Sequence, residues 1–248
     1  MTENKYSKIL VLGAGPVVIG SSSEYDYSAV SVCRALKEEG ISVVSVNSNP
    51  DTIMTDKNVA DTVYIEPLNG ETVKKIIEKE IPDAIIGTTG GEAGLEICLE
   101  LLQNGYLDEH GTKLLGIKPE TIKAIRNEQA LRDTLENVGE PYVSAKVLPT
   151  DAECVTFAGE IGFPVLISPA FTPDFSEPIR CENADDILSG FGSCAERSLV
   201  NEVYVRKCVD DYKEVEFVAM RDSFGNCISV SSTENIDSVG IHSGDSIV

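Results

Sequence analysis

The chain is short of positive charge. Lys and Arg number 20 against 41 Asp and Glu, a formal net charge of −21. That balance argues against non-specific binding to nucleic acid or to an anionic membrane, both of which need a basic face. No apolar run approaches membrane-spanning length, and no signal peptide precedes the first apolar segment, so a cytoplasmic protein is expected. Histidine is scarce: His110 and His242 are the only two, which argues against a zinc site. The cysteines, at 33, 98, 154, 181, 194, 208 and 227, are odd in number and form no C-x-x-C pair. In a reducing compartment they are expected to be core thiols.

What is present is an alternation of strands and helices. Ile9 to Leu12 is a short, fully apolar run, as a strand covered on both faces requires. Ala29, Val32, Cys33 and Leu36 fall on one helical face, which Gly40 can close. Val43 to Val46 and Thr62 to Ile65 read as strands. Val73, Ile76 and Ile77 mark a helix ended by Pro82, and Ala84 to Ile86 is a fourth strand. Leu95, Cys98, Leu99 and Leu102 form another helical stripe, followed by a strand over Lys113 to Leu115. Strands separated by helices imply a doubly wound parallel sheet.

Gly13, Gly15 and Gly20 follow the first strand and invite a dinucleotide reading. The third glycine of G-x-G-x-x-G would stand at 18, which is Val18, and the second strand ends in Asn47-Ser48-Asn49 rather than in a carboxylate for a ribose. A nicotinamide-dependent oxidoreductase is therefore the weaker alternative; tight turns explain these glycines equally well. Gly90 and Gly91 could form an anion-binding nest or a plain turn.

Further along, Thr150 and Glu153 form a capping box before a helix that holds Phe157, Ala158 and Ile161 and closes at Gly162. Val165 to Ser168 is a strand. Val215 to Met220, a turn at 223–226, and Cys227 to Val230 read as a hairpin.

Several segments together resemble the large subunit of carbamoyl-phosphate synthase. They are ILVLGAGPVVIG at 9–20, EYDYS at 24–28, VNSNPDTIMTD at 46–56, YIEPL at 64–68, TTGGEAGLEICLELLQNG at 88–105 and GIHSGDSIV at 240–248, with Ser243 where Thr is usual. The resemblance covers essentially the whole chain and about the first quarter of such a subunit. It implies a fold: α/β, a Rossmann-like doubly wound parallel sheet (pre-ATP-grasp domain) followed by a partial α+β ATP-grasp domain. The expected boundaries are 1–118 for the leading domain, 119–140 for connecting helices, 141–207 for a lid-like subdomain, and 208–248 for the first hairpin of the large ATP-grasp subdomain. The implied chemistry is ATP- and Mg²⁺-dependent phosphorylation of bicarbonate, then attack by ammonia on carboxyphosphate. Phosphoryl transfer of this kind wants glycine-rich backbone and basic groups on the phosphates, acidic ligands for Mg²⁺, and exclusion of water.

Several positions depart from the family's pattern. Ser168 stands where the resemblance places a phosphate-contacting arginine, and Asp174 and Phe175 where it places phosphate-cradling glycines. Side chains and prolines obstruct or remove the N–H donors an anion needs. Asp174 and Glu177 would add like charge beside a triphosphate, on the order of 1 kcal/mol at ~4 Å even in water. Glu128 aligns with a second arginine, and Lys207 with a glutamate of the nucleotide clamp. Glu214, Gly240, Ile241 and His242 match the family's nucleotide-contacting positions. Glu214 also suits a solvated strand face, and His242 could simply order its turn.

The expectation is a carbamoyl-phosphate-synthase-like chain with a degenerate ATP site, not catalytic alone, binding ATP weakly or serving a partner. The alternative is the ATP-binding component of a split ligase completed by another chain, which would supply the Mg²⁺ ligands. A lone hairpin is marginal in water, so a homo-oligomer or the missing ATP-grasp half is expected to cover it. A glutaminase subunit is the partner that the family suggests.

Overall fold

The structure is a computed structural model that describes residues 5–16, 23–125, 128–170, 178–222, 224–239 and 247–248. It divides into two compact units, residues 1–134 and 135–239, with the last residues grouped with the first unit.

The first unit is built on five parallel strands: β1 (Lys8–Leu12), β2 (Ser42–Asn47), β3 (Thr62–Ile65), β4 (Ala84–Ile86) and β5 (Lys113–Leu115), in the order β3-β2-β1-β4-β5. The helices are α1 (Ser23–Glu38), α2 (Gly70–Glu80), α3 (Gly91–Gln103), α4 (Tyr106–Glu109), α5 (Pro119–Ile125) and α6 (Glu128–Val138), the last running across the division. The apolar run of β1 is explained directly. Leu10 and Leu12 enter a core with Val44, Val73, Ile85 and Leu101, whereas Ile9 and Val11 enter a second core with Ala29, Cys33 and Val43. Successive side chains point to opposite faces, so a strand covered on both sides must be apolar throughout. The expected doubly wound sheet is thus present.

One helical face differs from the expectation. The stripe Leu95, Cys98, Leu99 and Leu102 is rotated: α3 buries Gly94, Ile97, Cys98 and Leu101 instead. The cause is Gly94. A Cβ there would lie 2.4 Å from the Gly87 carbonyl oxygen, so the bare backbone lets α3 sit against the end of β4. The turn before α3 is packed as well: a Cβ at Gly90 would meet the Gly13 carbonyl oxygen at 2.9 Å, and the Thr89 hydroxyl donates to the Leu12 carbonyl at 2.7 Å.

The second unit holds a four-stranded antiparallel sheet, β6 (Ala145–Leu148), β7 (Val165–Pro169), β8 (Ile179–Cys181) and β9 (Val203–Lys207), in the order β6-β9-β7-β8. Its core also takes residues of α7 (Asp151–Ile161) and α8 (Ala184–Arg197), among them Cys154, Ala158, Ile187 and Cys194. The capping box is half realised: the Thr150 hydroxyl accepts from the Glu153 N–H at 3.3 Å, and Gly162 closes α7 at φ 81°. Asn183 caps α8, its side chain accepting from the N–H groups of Asp185 and Asp186.

The hairpin pairs β10 (Val215–Arg221) with β11 (Cys227–Glu234). Val218 faces Ser231 and Ala219 faces Ser229, so Val230 is an extra residue, a bulge on β11. Every residue of β10 is exposed, with Phe217 and Met220 at 70% and 60%. Alternation along β10 puts Val215 and Phe217 on one face and Val218 and Met220 on the other. Six cysteines are buried as expected; Cys227, in the hairpin, is exposed and corrects that expectation.

Candidate functional site

A dinucleotide site in the first unit would lie at the ends of β1 and β2. Asn47 there acts as a staple. Its Oδ1 accepts from the N–H groups of Gly15 (3.0 Å) and Asn49 (3.3 Å), and its Nδ2 donates to the Thr52 hydroxyl (3.2 Å). A Cβ on Gly13 would strike Met54 at 2.5 Å and Asn47 at 2.7 Å. Close packing and a tight turn account for Gly13, and the Asn47 amide stands where a dinucleotide site would carry a ribose-binding carboxylate. Gly20 and Val18 lie outside the described residues.

The described residues of the second unit form a cavity. It is about 500 Å³, within the range that small-molecule sites span. Its walls come from the chain leading into β6, the end of β9 and the entry to β10: Tyr142, Val143, Val209, Tyr212 and Val215 give apolar surface, and Lys207, Lys213 and Glu214 give charge. Glu214 therefore faces a cavity rather than only a solvated strand surface. Its Oε1 accepts from Asn235 Nδ2 at 3.1 Å, and the same amide nitrogen donates to Glu216 Oε1 at 2.9 Å. Asn235 N–H also donates to the Glu214 carbonyl at 2.9 Å. Asn235 is buried, and its Oδ1 has no hydrogen-bond partner among the described residues. Asn235 thus ties the Glu214 and Glu216 carboxylates together through one amide nitrogen.

Lys207, the other departure from the family pattern, has a structural partner. Its Nζ donates to the carbonyls of Gly162 (2.8 Å) and Phe163 (3.2 Å), just past the C-terminus of α7. A cation is favoured there by the helix dipole and by the unpaired carbonyls; a glutamate would be repelled. The segment after β9 is also clasped. Arg180 Nε donates to Glu182 at 2.8 Å, and Nη1 contacts the Asp210 carboxylate and the Cys208 sulfur, the latter at 3.2 Å. The clasp fixes residues 208–210, which carry Val209 into the cavity wall. Burial, the largest influence, pushes the Cys208 thiol up, so it is a packing group rather than a nucleophile.

The other sequence candidates fall as follows. Ser168 is half-buried on β7 opposite Tyr204. Glu128 opens α6, and its side chain lies outside the described residues, as do Gly240, Ile241, His242 and the segment 171–177. Of the four candidate site residues the structure thus places Glu214 alone. Asn235 was missed. Its signal, in retrospect, was an amide following a strand whose partner strand carries Glu214 and Glu216 on one face. Among the described residues, no group of three or more His, Cys, Asp or Glu side chains is arranged to hold a metal ion. Mg²⁺ demands near-octahedral oxygen ligation, and the described residues do not fit it. No helix among them is long and apolar enough to cross a membrane.

Comparison with known proteins bears on this geometry. The model of the carbamoyl phosphate synthase preATP-grasp domain matches residues 5–124, and that of the carbamoyl-phosphate synthase L chain, ATP binding domain, matches residues 127–248. The carbamoyl phosphate synthase large chain of Agathobacter rectalis is 48% identical over 99% of this chain. The alignment spans 23% of that protein's length. Among solved structures, the biotin carboxylase domain of Hydrogenobacter thermophilus 2-oxoglutarate carboxylase, in complex with MgADP, ADP and bicarbonate, matches with a TM-score of 0.66 at 20% identity. That match covers 92% of this chain and 49% of the other. N5-carboxyaminoimidazole synthetase from Staphylococcus aureus matches with a TM-score of 0.66 at 16% identity, covering 95% of this chain and 56% of its own. At such identities the likeness speaks for the fold alone. The sequence matches go further: the chain belongs to the carbamoyl-phosphate synthase large-chain family, with that family's preATP-grasp domain followed by sequence of its ATP-grasp, ATP-binding domain.

Proposed function

We propose that the chain binds a nucleotide in the cavity of its second unit and does not phosphorylate bicarbonate by itself. The observation that carries this reading is the apolar cavity with the Glu214 carboxylate in its wall, held by Asn235 Nδ2. Apolar walls suit a base, and a carboxylate suits sugar hydroxyls. The matched ATP-binding model and the MgADP carried by a fold neighbour support ATP as the ligand. Gly240, Ile241 and His242, like Glu214, are proposed as nucleotide-contacting residues, following the family's motif.

Against catalysis stand Ser168 in place of a phosphate-contacting arginine, Asp174 and Phe175 in place of the cradling glycines, and the negative charge of Asp174 and Glu177 beside the phosphates. In the proposed state the second unit binds the nucleoside end and gains little from the triphosphate. Mg²⁺ ligands would come from another chain. Cytoplasmic location and a glutaminase partner belong to the same proposal.

Calorimetry with ATP and ADP, with and without Mg²⁺, tests it. Binding of both with similar affinity, insensitive to Mg²⁺ and without bicarbonate-dependent ATP hydrolysis, is the expected result. Bicarbonate-stimulated turnover would sink the non-catalytic reading. Ser168→Arg is expected to raise ATP affinity by about three- to tenfold, the worth of about one charge-assisted contact, with adenosine affinity unchanged.

A second reading is favoured by the hairpin. A two-stranded ribbon exposed on both faces is marginal by itself, which supports further strands beside it. On that reading the chain is the nucleotide-binding component of a ligase completed by further ATP-grasp polypeptide. Recovery of such a polypeptide in fixed ratio from the native host is the outcome that would favour it.

A further inference from the structure

Asn235 follows β11 directly and is 6% exposed, a polar side chain inside the second unit. Three hydrogen bonds join it to the opposite side of the hairpin. Its backbone N–H donates to the Glu214 carbonyl at 2.9 Å, and its Nδ2 donates to the carboxylates of Glu214 at 3.1 Å and Glu216 at 2.9 Å. Chemistry fixes which end of the amide faces them. An ionised carboxylate only accepts, so the nitrogen, with its two N–H groups, is the end that can meet two of them. Glu214 and Glu216 are two residues apart, on one face of the chain, and repel each other. A neutral donor between them holds both without cancelling the charge of either. The backbone bond sets Asn235 level with Glu214, and the bond to Glu216 keeps the amide plane from turning. Of these three residues, Glu214 lines the cavity; Glu216 and Asn235 do not.

We infer that Asn235 is a positioning residue for the nucleotide site: its amide locks the Glu214 carboxylate in the orientation that accepts from the sugar hydroxyls. The inference rests on the nucleotide reading above. A glutamate side chain turns about three torsions, and ordering it when the ligand arrives weakens binding. A side chain held beforehand by a buried hydrogen bond avoids that loss. The bond from Nδ2 does not compete with the ligand, because an ionised carboxylate has about four acceptor sites, enough for the amide and two hydroxyls together. Asn235 stands outside the cavity wall, so its influence passes through Glu214. Removing the amide is therefore expected to weaken recognition of the sugar and to leave the contacts of base and phosphates as they were.

The test uses the full 248-residue chain and the pair ATP and 2′,3′-dideoxy-ATP, which differ in the sugar hydroxyls, titrated by calorimetry. The parent chain is expected to bind ATP about tenfold more tightly, the worth of about one hydrogen bond to a charged group. Glu214→Ala is expected to abolish that preference. Asn235→Ala is expected to reduce it to about threefold or less, with dideoxy-ATP affinity unchanged, and to add nothing when combined with Glu214→Ala. Circular dichroism and thermal melts accompany each variant. Should Asn235→Ala fail to melt cooperatively, Asn235→Ser, polar but too short to reach the Glu214 carboxylate, carries the same expectation. An unchanged preference without the amide would overturn the inference. So would a loss of affinity by the same factor for both nucleotides, which is what a merely structural role predicts. Equal affinities in the parent chain would also overturn it, while leaving nucleotide binding standing. Failure of both nucleotides to bind at millimolar concentration would remove the nucleotide reading as well.

Discussion

Single residues carry more of this structure than the hydrophobic pattern suggests. Gly94 shows it best: the Gly87 carbonyl oxygen occupies the place of its missing Cβ, so Gly94→Ala is expected to destabilise the first unit by about 1–3 kcal/mol through overpacking. Urea denaturation followed by circular dichroism reads that loss directly. The thiols make a second residue-scale case. Burial pushes Cys98 and Cys154 up to about 12 and Cys33 and Cys181 to about 11. Cys227 is the exposed cysteine. A chromogenic disulfide reagent is expected to label one thiol rapidly in the folded chain and the others only after unfolding, and Cys227→Ser should abolish the rapid phase. A third case concerns acid. Glu80 accepts from the Tyr64 hydroxyl at 2.7 Å and from Lys8 Nζ at 3.2 Å, and Asp83 accepts from the N–H groups of Ser7 and Lys8. The Tyr64 hydrogen bond, ahead of Lys8, holds Glu80 below the ordinary glutamate value of 4.5, and the two N–H groups hold Asp83 below the ordinary aspartate value of 3.8. A carboxylate lowered on folding contributes stability that is present above its unfolded pKa and lost as pH falls through its folded one. Glu80→Gln is therefore expected to flatten the fall in Tm below pH 4.5 while lowering Tm at neutral pH.

At the scale of elements, legibility in the sequence follows the range of the interactions involved. The five strands of the first unit could be read because each is a short apolar run bounded by turn residues. The α7 boundaries could be read because Thr150 and Gly162 act within their own turns; Thr150→Ala is expected to cost about 1 kcal/mol, measurable as a shift in urea midpoint. The phase of α3 could not be read from leucine spacing, because the tie between Gly94 and Gly87 is a backbone contact that hydrophobicity does not register. The Lys207 contacts span some forty-five residues, and Asn235 meets Glu214 across a hairpin; neither leaves a local pattern. The site was therefore legible at Glu214, which a family motif marks, and illegible at Asn235. The hairpin was legible from its alternation and turn, whereas the extra residue Val230 was not, since a bulge depends on pairing. Lysines in place of Val218 and Met220 are expected to lower dye binding to exposed apolar surface and to shift any self-associated species toward monomer on size exclusion. The melting of the four-stranded sheet should be unmoved, because β10 and β11 form a sheet of their own.

For the whole molecule the dominant quantity is the charge of −21. Like charges spread over one chain oppose compaction, and salt screens them over a Debye length of about 8 Å at physiological ionic strength. Tm is accordingly expected to rise by several degrees between low and moderate sodium chloride, and a flat or falling curve would show that ion pairs such as Lys8–Glu80 outweigh the net repulsion. The same charge makes close approach of a second copy unfavourable at low salt, which favours a less acidic partner for the exposed ribbon.

The bulge at Val230 gives that ribbon a direction. An irregular strand is a poor template for a new neighbour, while a regular one is receptive. β11 carries the extra residue and a run of serines and ends in Glu234; β10 is regular from Val215 to Arg221. Growth of this sheet is thus polar, with one blunted margin and one adhesive margin. The regular margin of β10 is thus the side at which a foreign strand is expected to pair, and a single proline within β10 is expected to close it to such pairing.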